Sequence, residues 1–169
     1  MNYNPSTIAR IADIHSGIRV ETGVLAAATY LLSGTQTELF NVRGRVKVLH
    51  LYLEVISALS AHACQIVFNC TFTVPVIAKN AMCDKCASLS GAARGQRVWW
   101  VGGAVGTAAV LTDGAGLSDI NVTPHVVGGK DFVGTIGILG SDASHNAGTF
   151  IGVIHYVPMS DGAYISARL

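Results

Sequence analysis

The sequence is poor in charged residues. Asp, Glu, Lys and Arg together make up 12% of its 169 residues, about half the share found in an ordinary soluble domain. The formal net charge is +1, and the basic residues are scattered singly along the chain. A protein that binds nucleic acid through the phosphates needs clustered Lys and Arg. We therefore expect no direct nucleic-acid partner.

Long apolar runs are also missing. The best run, GVLAAATYLL at 23–32, has ten residues, whereas a membrane-spanning helix needs about 20. The first residues, MNYNPSTIARIADIHSG, contain no basic segment leading into an apolar one, as a secretory signal would. We expect a protein without a membrane partner that is made in a reducing, cytoplasmic environment.

Cysteines are few and their spacing gives no disulfide or metal site. Cys64 and Cys70 fall on one face of a predicted strand, about 20 Å apart, which is far beyond disulfide reach. Cys83 and Cys86 have the C-x-x-C spacing of half a zinc site, but no His pair lies nearby to supply the other two ligands. The sequence predicts four free thiols and no bound metal.

Catalytic and cofactor motifs are missing as well. The loop GSDASHN at 140–146 contains Asp142, Ser144 and His145, but these residue types commonly serve turns. There is no G-x-S-x-G elbow, and GGAVGT at 102–107 lacks the Lys-Ser/Thr that a P-loop requires. We expect a non-enzymatic protein without a cofactor, unless Asp142, His145 and a serine converge in a cleft.

Short apolar stretches and glycine-rich turns dominate what is present. Hydrophobic residues make up 50% of the chain, and 19 residues are Gly. Strands are predicted at 37–43, 45–57, 62–74, 97–101, 105–112, 120–127, 132–139 and 148–157. Residues 78–93 are predicted to form an irregular or briefly helical connection. Eight short strands predict an all-β protein, and a jelly-roll-like β-sandwich is the best single architecture.

The strand pattern does not extend to the N-terminus. Residues 4–17 are typical of a short helix, because Pro5 suits a first helical position and Gly17 can end it. We therefore predict two parts: a short helical or extended N-terminal arm at 1–35 and a sandwich domain at 36–169.

The arm contains a candidate docking segment. Pro5, Ile8 and Ile11 are its predicted interaction residues, since the two isoleucines fall on one side of the helix. The alternative is that this helix packs on its own sandwich.

The stretch RVKVLHLYLEVI at 45–56 is apolar on both faces when it is read as a strand. Leu49, Leu51 and Leu53 share one face. Leaving all three in water would forgo roughly 5–9 kcal/mol of stabilisation, against about 5–15 kcal/mol for a whole domain. They must be covered. We predict that a neighbouring subunit covers them, and the alternative is a loop or the arm of the same chain.

Two adjacent tryptophans raise the same question. Trp99 and Trp100 are neighbours on a predicted strand, so their side chains point to opposite faces. One indole can enter the core and the other is left for a partner or a loop. We predict Trp100 as an interface residue, because indoles are favoured anchors at interfaces.

Three stretches of the chain carry a resemblance to a known family. They are TELFNVRGRVKVLHLYLEVISAL (37–59), DKCASLSGAARGQRVWWVGG (84–103) and GTFIGVIHYVPMSDGAYISA (148–167). Their order along the chain resembles that of a family of tailed-bacteriophage virion structural proteins.

The resemblance implies a non-enzymatic structural protein with a sandwich fold, displayed in many copies on the virion. The role it implies is a capsid decoration or cement protein that binds the major capsid protein as a homotrimer, with weak contacts that add up through multivalency. One alternative is a tail or fibre-base protein. Another is a carbohydrate-binding module on the virion surface, for which Trp100 and Tyr164 are the aromatic candidates.

Overall fold

The computed structural model describes residues 17–74, 76–102, 106–112 and 122–169, with the backbone alone at 76–79. One short helix, α1 (Ala27–Tyr30), lies among the strands. The strands are β1 (Ile18–Glu21), β2 (Leu25–Ala26), β3 (Gln36–Arg43), β4 (Val46–Ser57), β5 (Cys64–Val74), β6 (Val76–Ala81), β7 (Arg97–Trp100), β8 (Val110–Thr112), β9 (His125–Val127), β10 (Val133–Asp142), β11 (Thr149–Pro158) and β12 (Tyr164–Ala167).

The strands form two antiparallel sheets. A seven-stranded sheet has the order β1-β11-β4-β7-β8, with β2 also paired to β11 and β9 also paired to β4. A five-stranded sheet has the order β12-β3-β10-β5-β6. The predicted all-β sandwich is confirmed, and its jelly-roll connectivity stays a prediction.

The core lies between the two sheets and is built from alternate residues of the long strands. Its largest fully buried side chains come from both sheets. They include Phe40, Phe68, Ile136, Phe150 and Ile154. Since successive residues of a strand point to opposite faces, each long strand gives one set of side chains to this core and another to the outside.

Strand β4 contains a β-bulge at Leu49. Val48 is opposite Tyr156 and His50 is opposite His155, which leaves Leu49 as an extra residue on β4. One extra residue inverts the alternation of every side chain that follows it. The bulge therefore explains why the sequence of β4 is apolar in both phases.

The core-facing side chains of β4 are at even-numbered positions before the bulge and at odd-numbered positions after it, and all of them point into the core. Five of them are buried in the cluster between the sheets: Val46, Val48, Leu51, Leu53 and Val55. The expectation that a partner covers Leu51 and Leu53 is wrong, because their own chain buries them. Leu49 is half-buried, and its Cδ1 lies 2.8 Å from the position a Cβ on Gly17 would take.

The two tryptophans point to opposite faces, as predicted. Trp100 is 2% exposed within the core, and its Nε1 donates a 3.0 Å hydrogen bond to the carbonyl of Met82. The assignment of Trp100 as an interface residue is therefore wrong. Trp99 takes the outward position.

The predicted boundary at residue 35 is also wrong for the part of the arm that the structure describes. Strands β1 and β2 both pair with β11, and Leu25, Ala27 and Leu31 belong to the sandwich core. Residues 17–35 are therefore part of the sandwich. The predicted docking residues Pro5, Ile8 and Ile11 lie outside the described residues, as does most of the predicted helix.

Candidate functional site

The two sulfurs of the C-x-x-C motif accept hydrogen bonds from the backbone of β5. The sulfur of Cys83 accepts a 3.3 Å hydrogen bond from the backbone N–H of Phe68, and that of Cys86 accepts a 3.2 Å bond from the N–H of Ile66. Both thiols are buried, and burial raises the pKa of each to about 11. These sulfurs occupy the place that a neighbouring strand's carbonyls would otherwise take.

All four cysteines are free thiols, as predicted. Within residues 17–74, 76–102, 106–112 and 122–169, no group of three or more His, Cys, Asp or Glu side chains is arranged to hold a metal ion. The same residues include no helix long and apolar enough to cross a membrane.

His145 is buried beneath its own loop. It is 1% exposed, its Nδ1 lies 3.0 Å from Ser60 Oγ, and its backbone N–H donates to the carbonyl of Leu31. Burial lowers the pKa of His145, and the nearby charge of His62 lowers it further. The folded protein therefore favours the neutral imidazole.

The polar residues of loop 140–146 do not form a triad. The carboxylate of Asp142 pairs with Lys85 at 3.4 Å, and Ser144 Oγ accepts a hydrogen bond from the backbone N–H of Ser33. The His145 ring instead contacts Ser60, a serine from another loop. The convergence that a hydrolytic site would require does not occur in this loop.

The outer face of the seven-stranded sheet carries a second hydrophobic cluster, separate from the core. We call it the aromatic cluster, and it consists of Tyr52, Trp99 and Val153. Tyr52 lies between the other two, opposite Trp99 on β7 and opposite Val153 on β11. The two ring centroids are 4.3 Å apart. Val101, Val122 and Ile151 pack around the three residues.

An arginine holds the aromatic rings in place. The guanidinium carbon of Arg97 lies 5.1 Å from the centroid of the Tyr52 ring and 5.9 Å from that of Trp99. The guanidinium also forms a 2.8 Å ion pair with Glu54 on the adjacent strand. Cation–π contacts of this kind are worth about 0.5–1 kcal/mol at exposed sites and more when desolvated.

Histidines border the aromatic cluster on one side. The ring of His50 packs edge-on against Trp99, with centroids 6.1 Å apart, and against His155, with centroids 5.6 Å apart. Burial lowers the pKa of His50, and the charge of His155 lowers it further.

Two exposed valines lie on the same face of the sheet, and one of them is next to the cluster. Val110 is opposite Trp99 on edge strand β8 and is 40% exposed. Val126 is opposite Lys47 on β9 and is 41% exposed. Beyond the buried rings the outer face of this sheet is therefore mixed, because it exposes these two valines and also carries the Arg97–Glu54 and Arg19–Glu21 ion pairs.

The outer face of the five-stranded sheet carries a hydrogen-bonded set of polar side chains. Arg168 forms a 2.8 Å ion pair with Glu38 and donates a 3.3 Å hydrogen bond to Asn41 Oδ1. Thr135 donates a 3.2 Å hydrogen bond to the other carboxylate oxygen of Glu38. We call these four residues, which come from β3, β10 and the end of the chain after β12, the polar network.

A groove lies beside the polar network. It is lined by Asn41, Thr135 and Ser166 along its length and by Arg43 and Tyr164 towards one end. Tyr164 is 45% exposed. This groove brings one of the two aromatic candidates named from the sequence next to several hydrogen-bonding side chains.

Sequence reasoning missed the central residues of both faces. Tyr52 and Arg97 gave no signal of their own, because cross-strand register alone places them beside Trp99. The polar network joins residues more than 90 positions apart. The one signal in the sequence for a polar outer face of the five-stranded sheet is the occurrence of Thr, Asn and Ser at alternate strand positions.

Comparison with known proteins gives no relative: no family model, no curated protein and no solved structure matches the chain.

Proposed function

We propose that this chain is a non-enzymatic structural protein of a tailed-phage virion. Its role is that of a decoration protein, which binds the major capsid protein as an oligomer and staples the shell. The proposal starts from the resemblance of the stretches 37–59, 84–103 and 148–167, and the β-sandwich agrees with the fold that this resemblance implies.

The exposed apolar surface beside the aromatic cluster is the observation that carries the proposal. In a solitary antiparallel sandwich the outer face of each sheet is expected to be polar, because it meets water. Here the outer face of the seven-stranded sheet carries Trp99 and Tyr52, which their own chain covers to 7% and 6% exposure. The partly exposed Arg97 packs over these rings. Trp, Tyr and Arg are the residue types most enriched at protein–protein interfaces. The exposed Val110 and Val126 extend the same face.

This face fits a partner that is apolar and repeated. A chain with 12% charged residues has few ion pairs to offer across an interface, so burial of apolar surface must supply the binding energy. A single contact of this kind is weak. Many copies on a regular shell, each linked to its neighbours, bind far more tightly because later contacts form at high effective concentration.

The composition of purified particles tests the proposal. Phage particles that encode this chain are purified, and the copy number of each protein is measured by quantitative mass spectrometry. We expect a copy number comparable to that of the major capsid protein. A few copies per particle would favour the tail or fibre-base alternative, and absence from the particles would overturn the proposal.

A matched pair of variants tests the face. Val110→Lys places a charge beside the aromatic cluster, and Val74→Lys places one at a 52% exposed position on the other sheet. We expect Val110→Lys to lower the occupancy on particles and Val74→Lys to leave it unchanged. Equal occupancy of both variants would contradict the assignment of this face.

A further inference from the structure

We propose that the groove on the outer face of the five-stranded sheet binds a neutral saccharide. The groove uses the opposite sheet from the aromatic cluster. The inference is therefore independent of the virion assignment, and both can hold for one molecule.

The walls of the groove supply hydrogen-bonding groups of both kinds. Asn41 offers its amide N–H groups and Ser166 a hydroxyl that both donates and accepts. Thr135, whose proton goes to Glu38, offers a hydroxyl oxygen that accepts. A sugar presents hydroxyls that likewise donate and accept. Thus the chemistry of the lining matches that of a polyhydroxylated ligand.

The polar network holds these groups in fixed orientations. Arg168 is tied at once to the carboxylate of Glu38 and to the amide oxygen of Asn41, and Thr135 is tied to the same carboxylate. Because these side chains are already ordered, binding does not have to order them, which lowers its entropic cost. Planar amide, carboxylate and guanidinium groups suit the paired hydroxyls of neighbouring sugar carbons.

Tyr164 supplies the apolar contact that a sugar ring also needs. Its ring is nearly half exposed at the end of the groove, although a large aromatic side chain usually packs inward. The apolar C–H face of a pyranose ring can stack on such a surface, while the phenol hydroxyl stays available for a hydrogen bond.

The surrounding charges favour a neutral ligand over a polyanion. Arg43, at the end of the groove, also borders a second depression together with Lys130. Two carboxylates, Asp131 and Asp161, line the same depression, and Glu38 neutralises Arg168. No excess of positive charge remains along this surface to attract sulfate or phosphate groups.

A glycan array tests the inference, with the full-length protein applied to neutral glucans, galactans and mannans and to sulfated glycans. We expect binding to at least one class of neutral glycan. Tyr164→Ala should weaken that binding about tenfold, as loss of one aromatic contact worth about 1.4 kcal/mol would. Asn41→Ala should weaken it as well. The control Val110→Ala, on the other sheet, should bind as the unaltered protein does.

Thermal unfolding of each variant shows whether the fold is retained, and the comparison is made among folded variants. Tyr164 lies on edge strand β12 with its ring partly in solvent, so its replacement leaves the core unchanged. No binding to any neutral glycan would overturn the inference. Binding to sulfated glycans alone, or binding that Tyr164→Ala and Asn41→Ala leave unchanged, would overturn it too.

Discussion

Cys83 and Cys86 have the spacing of a metal or redox motif, but their sulfur atoms act as hydrogen-bond acceptors for the backbone. Each accepts a hydrogen bond from an N–H group of β5, and the carbonyls of the same two β5 residues accept bonds from the N–H groups of Met82 and Cys86. The segment after β6 thus satisfies the edge of β5 without forming a regular strand. A buried N–H without a partner costs about 1–3 kcal/mol.

Replacing one of these sulfurs should therefore destabilise the protein. We expect Cys86→Ala to lower the free energy of unfolding by about 1–3 kcal/mol, because the N–H of Ile66 loses its acceptor. Urea denaturation measures the change. Cys70→Ala is the control, since the half-buried Cys70 has no such bond among the described residues, and its effect should be smaller. An equal loss in both variants would contradict the role of the Cys86 sulfur.

The buried His145 makes stability depend on pH. Its pKa is lowered in the folded state by burial and by the nearby charge of His62, so below about pH 6.5 the unfolded chain binds a proton that the folded protein resists. Stability should be complete at pH 8 and should fall as the pH drops through 6.5. The slope is at most about 1.4 kcal/mol per pH unit for one proton.

Urea denaturation at pH 8, 7, 6 and 5.5 tests this dependence. His145→Gln should be less stable at every pH but should lose less stability on acidification than the unaltered protein. His50→Gln should flatten the curve less, because His50 is more exposed to water than His145. Parallel curves for the unaltered protein and His145→Gln would contradict the assignment.

At the scale of single elements, the bulge in β4 decides which side chains reach the core. Without the extra residue Leu49, Val46 and Val48 could not share a face with Leu51 and Leu53. The sequence predicts the strand correctly. Regular alternation along its whole length, however, puts the leucines of β4 on one face and so predicts a neighbouring subunit that the structure does not require. A bulge is visible only once the register with β11 is known.

Deleting Leu49 tests this reading. The deletion should force one half of β4 to turn its apolar residues outward, with a loss of about 4 kcal/mol or more, or failure to fold. Leu49→Ala keeps the bulge and removes only a half-buried side chain, so it should cost less than about 2 kcal/mol. Circular dichroism and urea denaturation measure both. A deletion variant as stable as Leu49→Ala would contradict the role of the bulge.

The sequence predicts every strand of eight or more residues in the described part of the chain, and it predicts the shorter elements only in part. The eight predicted strands overlap β3, β4, β5, β7, β8, β9, β10 and β11, although the predictions 105–112 and 120–127 are longer than the three-residue β8 and β9. The missed elements, β1, β2, β6, β12 and α1, have two to six residues each. Two of them, β1 and β12, are edge strands with exposed residues. Their sequences are therefore too short and too exposed to show the alternation of apolar and polar residues that predicts a strand.

At the scale of the whole molecule, the low charge content gives less support for a partner than the leucines of β4 suggest from the sequence alone. The chain buries Leu51, Leu53 and Trp100 by itself, so these residues give no argument for a partner. The same holds for Trp99 and Tyr52, which are 7% and 6% exposed. What remains is the exposed part of the outer face of the seven-stranded sheet, where Val110 and Val126 are 40% and 41% exposed. The central claim now depends on this face.

The mass of the purified protein in solution tests that claim most directly. Sedimentation equilibrium at micromolar concentration should give three times the chain mass of 17.6 kDa, and Val110→Lys, beside the aromatic cluster, should shift the protein towards the monomer. Val74→Lys, on the other sheet, should leave the mass unchanged. A monomer at micromolar concentration for the unaltered protein would contradict the account.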